Sequence, residues 1–133
     1  MNKQLEDKIK PAHKLLENEL KASGKTHFDK EVKGYISSFG PSVRIAGLLA
    51  TLAFYLSKNT GVLKERAKIV DWLCTIIGYA PGSKALFEEV SKSQNNTTFI
   101  SQKQSEILTA ITALKLAFRT FPVVGDPVPE KII

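Results

Sequence analysis

The stretch that most constrains this chain runs from Gly40 to Lys58, GPSVRIAGLLATLAFYLSK. After a Gly-Pro pair it is apolar on nearly every face from Val43 to Leu56, broken only by Arg44, Gly47 and Thr51. A helix with no polar face has to lie inside a protein or a membrane. This run falls short of the about 20 apolar residues that span a bilayer. It therefore predicts the central, buried helix of a small helical domain, over about 41–58. A glycine inside a helix costs about 1 kcal/mol relative to Ala, so Gly47 is expected to let a second helix approach closely. An arginine one turn before it is not there for packing alone.

The flanking sequence carries helical stripes of the same kind. Leu5, Ile9, Ala12, Leu16 and Leu20 recur every three or four residues and make one face of an amphipathic helix. Pro11 interrupts that helix at a cost of about 3 kcal/mol, but the stripe keeps its phase across it. A single kinked helix is expected, with a helix starting at Pro11 as the alternative, and Ser23-Gly24 ends it. Thr26 reads as the next N-cap, with Asp29 complementing the helix start. Phe28, Val32, Tyr35, Ile36 and Phe39 form the following stripe, which Gly40-Pro41 should stop. A fourth helix is marked by Leu63, Ala67, Val70, Leu73, Cys74 and Ile77 and closed by Gly78. A short one over 83–90 has Ser83 as a plausible cap, and the polar stretch 91–98 reads as a loop. The last helix is expected from about Ile100 to Phe121, striped by Ile107, Ile111, Leu114, Phe118 and Phe121 and stopped by Pro122.

No segment alternates with a period of two. The fold class is all-α: a compact helical bundle of five or six helices around the central apolar helix, with a helical content of about two-thirds or more, above the roughly one-third usual in soluble proteins. At 133 residues the chain is one domain over 1–121. Residues 122–133 hold three prolines and are expected as an extended or loosely ordered tail. The N-terminal MNKQLEDKIK mixes both charges and has no apolar core of a secretory signal. With one cysteine, Cys74, set in an apolar run, the expectation is a reducing cytoplasm and no membrane association.

The formal net charge is +6, from 19 basic and 13 acidic residues, and it is spread along the chain without a basic tail. Such a charge suits a polyanionic partner, provided that folding gathers it on one face. The catalytic inventory is thin. His13/Glu17 and His27/Glu31 are each spaced four apart and could meet on a helix face as metal ligands, but neither falls in the Glu-x-x-His or His-Glu-x-x-His pattern. Ordinary exposed pairs are the plainer reading. Cys74 has no neighbouring histidine, no glycine-rich phosphate loop occurs, and no serine sits in a nucleophile elbow. No catalytic residue, metal, cofactor or small-molecule substrate is expected.

The basic residues say more. Lys115 and Arg119 lie one turn apart beside the apolar stripe of the last helix, with Thr112 on the same side. Arg44 stands early in the apolar run and Lys58 at its exit. Each has a structural reading: a paired arginine at a helix seam, a cation against a helix C-terminus, side chains snorkelling at the core edge. Each also fits a phosphate-contacting face. Aromatic residues are few and mostly on core stripes, so contact with a nucleic acid would be through backbone electrostatics and not base stacking.

Several of these residues also form a family pattern. Lys33-Gly34-Tyr35 leads to Gly40-Pro41, then to Ile45-Ala46-Gly47-Leu48, then to Leu52-Ala53-Phe54-Tyr55-Leu56-Ser57-Lys58. Glu106-Ile107-Leu108 and Leu114-Lys115-Leu116-Ala117-Phe118 follow in the last helix. This resembles the small, fifth subunit of the Cmr effector complex of type III-B CRISPR systems, in outline over about 30–121 and most closely over 41–58. Ala46 and Ala113 depart from the asparagine and tryptophan common at those places. The resemblance implies a non-catalytic structural subunit that stacks into a minor filament beside larger backbone subunits. Its partners would be other Cmr subunits and the phosphate backbone of the crRNA and its target RNA, with sequence read by base pairing. It carries Lys58 and Lys115 over as RNA contacts; Arg44 and Arg119 join them from position alone. The competing reading is a helical protein–protein adaptor without RNA contact.

Overall fold

The apolar stripes close on one another as six helices. The computed structural model describes residues 3–57 and 64–123. In chain order the helices are α1 (Lys3–Ser23), α2 (Lys30–Ala46), α3 (Leu48–Leu56), α4 (Lys64–Ile77), α5 (Ser83–Lys92) and α6 (Thr97–Phe118). They take in 81% of the described residues, among which there is no strand. The all-α expectation stands. The single helix over 41–58 does not.

Gly40-Pro41 lies inside α2, and the break comes six residues later, at Gly47. Val32, Ile36, Phe39 and Val43 continue one buried stripe at spacings of four, three and four across the Gly-Pro pair. Pro41 removes the N–H that would reach the Ser37 carbonyl, but both residues are exposed and water can serve that carbonyl. Pro11 is carried inside α1 in the same way, with Pro11 and Asp7 both exposed. At Gly47 the backbone takes φ 97° and ψ 162°, a region essentially reserved for glycine. Its N–H still donates to the Val43 carbonyl (2.9 Å), and its own carbonyl accepts from Thr51 N–H (3.2 Å), so the corner costs no backbone hydrogen bond. A Cβ built on Gly47 would meet nothing within 4 Å. The glycine that permits close approach is Gly40, whose Cβ position lies 3.8 Å from Ile111 Cγ2 on α6.

The corner is held by polar groups that find partners inside. Thr51, 1% exposed, shares a 2.8 Å hydrogen bond with the Ser42 hydroxyl. The buried Tyr55 phenol donates to the Tyr35 carbonyl at 2.6 Å. Burial, with Tyr35 adding and Arg66 opposing, pushes that phenol up to about 12.

The centre of the molecule is not the apolar run around Gly47. α4 packs against all five other helices, and α6 packs against α1, α2 and α4. From Ile69 to Ile76 all of α4 but Asp71 and Thr75 is buried, and Ile107, Ala110, Ile111, Leu114, Ala117 and Phe118 line the buried face of α6. α3 instead leaves Ala50, Ala53 and Phe54 exposed.

The caps also differ from expectation in instructive ways. Asp29, not Thr26, is the N-cap residue of α2, and Gly82, not Ser83, that of α5. The loop expected over 91–98 is confined to 93–96: α5 runs to Lys92, and α6 starts at Thr97 because the Asn96 side chain accepts the Phe99 N–H at 3.0 Å. Beyond α6 the chain turns back on the start of α2. Phe28 N–H donates to the Pro122 carbonyl at 3.0 Å, and Val123 is buried. The rings of Phe118 and Phe121 pack on Phe28 at 4.9 and 5.7 Å. The rest of the expected tail, 124–133, lies outside the described residues.

Candidate nucleic-acid interface

The order of contacts fixes how the helices around α6 run. Phe28 at the start of α2 meets Phe118, and Gly40 meets Ile111. α2 and α6 are therefore antiparallel. The His13 ring lies 4.9 Å from that of Phe121, while Gln4 and Lys8 face Phe99 and Glu106 across one depression. α1 and α6 are therefore parallel. Antiparallel packing sets the last turn of α2 and the last turn of α6 on opposite sides of the Gly40–Ile111 crossing, and each carries a cation.

Those cations are Arg44 and Lys115. They line one cleft of about 80 Å³ together with Ile36, Gly40, Pro41 and Thr112. No acidic side chain among the described residues pairs with either, so the paired-arginine reading of Arg44 does not hold. Both sit in the last turn of their helices, where the helix dipole favours positive charge. Thr112 shares the cleft, as the sequence spacing implied, but its hydroxyl proton is committed to the Leu108 carbonyl at 2.9 Å. Arg119 is exposed at the C-cap of α6, one turn beyond Lys115 and outside this cleft. Lys58 lies outside the described residues. Of the four basic residues singled out from sequence, two are brought together.

The cleft opens into two larger depressions on α6. One, of about 380 Å³, shares Arg44, Leu108 and Thr112 with it. The other, of about 690 Å³, shares Ser101, Ser105 and Thr109 with the first. The hydroxyl-rich first half of α6 thus adjoins the cleft of Thr112 and Lys115.

The remaining candidates have local explanations. His13 packs on Phe121, and His27 Nδ1 shares a 2.8 Å hydrogen bond with the Thr26 hydroxyl. Among the described residues no group of three or more His, Cys, Asp or Glu side chains could hold a metal. Burial, with Asp71 adding and Lys103 opposing, pushes the Cys74 thiol up to about 11, so it stays a protonated core residue at neutral pH.

One residue was missed altogether. Arg66, 8% exposed, lays its guanidinium 4.2 Å from the centre of the Phe54 ring and donates to the Ser57 hydroxyl at 3.2 Å. Its Nε has no hydrogen-bond partner. In the sequence it is one of several charges in Lys64-Glu65-Arg66-Ala67-Lys68, and nothing there separates it from the other charges.

Residues 5–121 match the family model of the CRISPR-associated protein Cas_Cmr5. The chain belongs to the Cas_Cmr5 family. The match takes in α1 as well as the helices that carried the resemblance, so the family fold begins with the Pro11 helix. No curated protein and no solved structure matches the chain. Cas_Cmr5 proteins are the small structural subunit of the type III-B CRISPR Cmr complex, and this chain is accordingly a subunit that assembles with other Cmr subunits in CRISPR defence. Among the described residues no helix is long and apolar enough to cross a membrane.

Proposed function

We propose that this Cas_Cmr5 chain is a non-catalytic block of the Cmr effector complex that works in the cytoplasm. It stacks into the minor filament and contacts the crRNA and target RNA through their phosphates. Arg44 and Lys115 carry the RNA contact, with Arg119 one turn further along α6 and Lys58 as a further contributor. The observation that supports this is the convergence of Arg44 and Lys115, from two antiparallel helices, on one cleft without an acidic partner. A cation held beside apolar surface and not neutralised by its own protein is available to a phosphate. The stacking half of the proposal draws on two exposed apolar side chains, Ile45 in the last turn of α2 and Phe54 near the end of α3, which are 87% and 54% exposed. Exposed apolar groups of that size suit contact with a neighbouring subunit.

The test is a salt titration of RNA binding by the assembled complex. Each phosphate neutralised contributes about 0.7 to the slope of log affinity against log salt for single strands. Arg44→Ala/Lys115→Ala should therefore lower the slope by about 1.4 and weaken all sequences alike, with assembly intact. An unchanged slope removes both residues from the RNA face. Loss of assembly instead favours the adaptor reading, in which this seam binds protein and not RNA.

A further inference from the structure

Arg66 stands where a cation is least favoured, and its own fold does little to compensate it. It is 8% exposed and lies in the first turn of α4, where the helix dipole opposes positive charge. None of the ion pairs among the described residues includes it. A guanidinium has five N–H donors. Here Nη2 donates to the Ser57 hydroxyl at 3.2 Å, and the buried Nε has no partner. A buried cation without a carboxylate is destabilising, and so is a buried donor left unpaired. A group that breaks both rules at once points to a site where something else binds.

The surroundings of Arg66 say what that something is. Its guanidinium lies 4.2 Å from the centre of the Phe54 ring, and Phe54 is 54% exposed. Ala50, Ala53 and Phe54 are exposed at positions i, i+3 and i+4 of α3 and so share one face. The helix itself, LLATLAFYL, carries no charged residue. The exposed face of α3 is therefore apolar, and its largest side chain rests on a single uncompensated cation. A nucleic-acid strand held by its phosphates needs a row of cations, and α3 supplies none. A protein surface with one carboxylate set among apolar side chains matches the face in both respects. Its apolar part covers the two alanines and Phe54, and its carboxylate takes the free donors of the guanidinium in a charge-assisted fork.

We propose that Arg66 and the Ala50–Ala53–Phe54 face of α3 form an anchor for a neighbouring protein subunit that presents an acidic side chain within an apolar surface. The inference rests on the subunit-contact reading of Phe54 above and adds the chemistry of the partner. The charge that burdens the free chain is neutralised only in the complex.

The full chain alone and the assembled complex should answer Arg66→Met in opposite ways. In the chain alone the urea midpoint should hold or rise, because a buried charge without a partner is exchanged for an apolar side chain of similar length. In the complex the affinity for the subunit should fall about thirtyfold or more, the loss expected when one member of a buried charge pair is removed. Arg66→Lys keeps the charge but not the fork, and should recover only part of that loss. A photo-reactive benzoylphenylalanine in place of Phe54 identifies the neighbour. The crosslinked segment should be protein and should hold an Asp or Glu. Changing that acid to Asn or Gln should weaken association as Arg66→Met does, and the two changes together should weaken it no further. If Arg66→Met lowers both midpoint and affinity, the change in the neighbour decides, since it leaves this chain intact; no loss of affinity there overturns the proposal. A lower midpoint with unchanged affinity overturns it too, by making Arg66 a residue of the fold alone. So do the absence of any crosslink, crosslinks to RNA alone, and crosslinks to a segment without an acid. If Phe54→Ala still weakens association in that last case, the subunit-contact reading survives without the carboxylate. If it changes nothing, Phe54 drops out of both.

Discussion

Two glycines seven residues apart should respond to alanine in opposite directions and to side-chain size in different degree. Gly47 sits at φ 97° and ψ 162° with nothing within 4 Å of a built Cβ. Any L-residue there carries backbone strain of about 1–3 kcal/mol, and the size of its side chain adds nothing. Gly47→Ala and Gly47→Leu should therefore cost about the same. Gly40 is in mid-helix, with its Cβ position 3.8 Å from Ile111 Cγ2 and 3.9 Å from Arg44 Nη1. Those are ordinary contact distances. Gly40→Ala should thus recover most of the about 1 kcal/mol that glycine costs in a helix. Gly40→Leu should overfill the α2–α6 seam at about 1–3 kcal/mol. Urea denaturation reads all four. With a slope of about 2 kcal/mol/M, a loss of 2 kcal/mol moves the midpoint down by about 1 M. The slope itself should not change. A neutral Gly47→Ala, or a Gly47→Leu far worse than Gly47→Ala, would refute the reasoning, the first by denying the strained corner and the second by restoring a crowded seam.

Asn96→Ala should cost about 0.5–2 kcal/mol by removing the acceptor for Phe99 N–H, and Asn95→Ala, one position from the cap, should cost far less; paired thermal melts decide it. Tyr55→Phe leaves the Tyr35 carbonyl without its 2.6 Å donor and should cost about 1–3 kcal/mol at neutral pH. Its alkaline behaviour carries a sign. The Tyr55 phenol is raised in the folded state from 10.0 to about 12, so its contribution is complete below pH 10 and is lost as pH rises toward 12. Stability measured across that window should fall more steeply in the parent than in Tyr55→Phe.

What could be read from the sequence depended on whether the deciding signal was local. The α1 stripe kept its phase across Pro11, and phase is a sum over five residues, so it outweighed the proline. The same test would have carried α2 through Pro41, because Val32, Ile36, Phe39 and Val43 are in phase. A Gly-Pro pair is a stronger local stop than a lone proline, and it drew the boundary six residues early. Gly47 looks like a packing glycine in sequence because a Gly-only backbone angle leaves no trace in residue type. Asn96 was legible as a cap in principle, but all eight residues from Ser91 to Thr98 are polar and offered several candidates. At the candidate interface, Lys115 and Arg119 share a helix, so their spacing was visible. The meeting of Arg44 with Lys115 was not, since it depends on α2 lying antiparallel to α6. Nor was the burial of Arg66, which is decided by where Phe54 and Ser57 end up.

The pairing of α1 with α6 bears on how the chain can be made. α1 packs mainly on α6 and to a lesser extent on α4, so α1 leaves the ribosome well before its main partner. About 95 residues separate the two, which at about 5–20 residues per second takes roughly 5–20 s of synthesis. Through that interval the face bearing Ala12 and Leu16, both fully buried in the finished protein, has at best the edge of α4 to cover it. Completion comes only when Pro122 and Val123 emerge and close on Phe28. A nascent chain stalled anywhere in α6 would leave the apolar face of α1 uncovered, a substrate for chaperones and not for assembly.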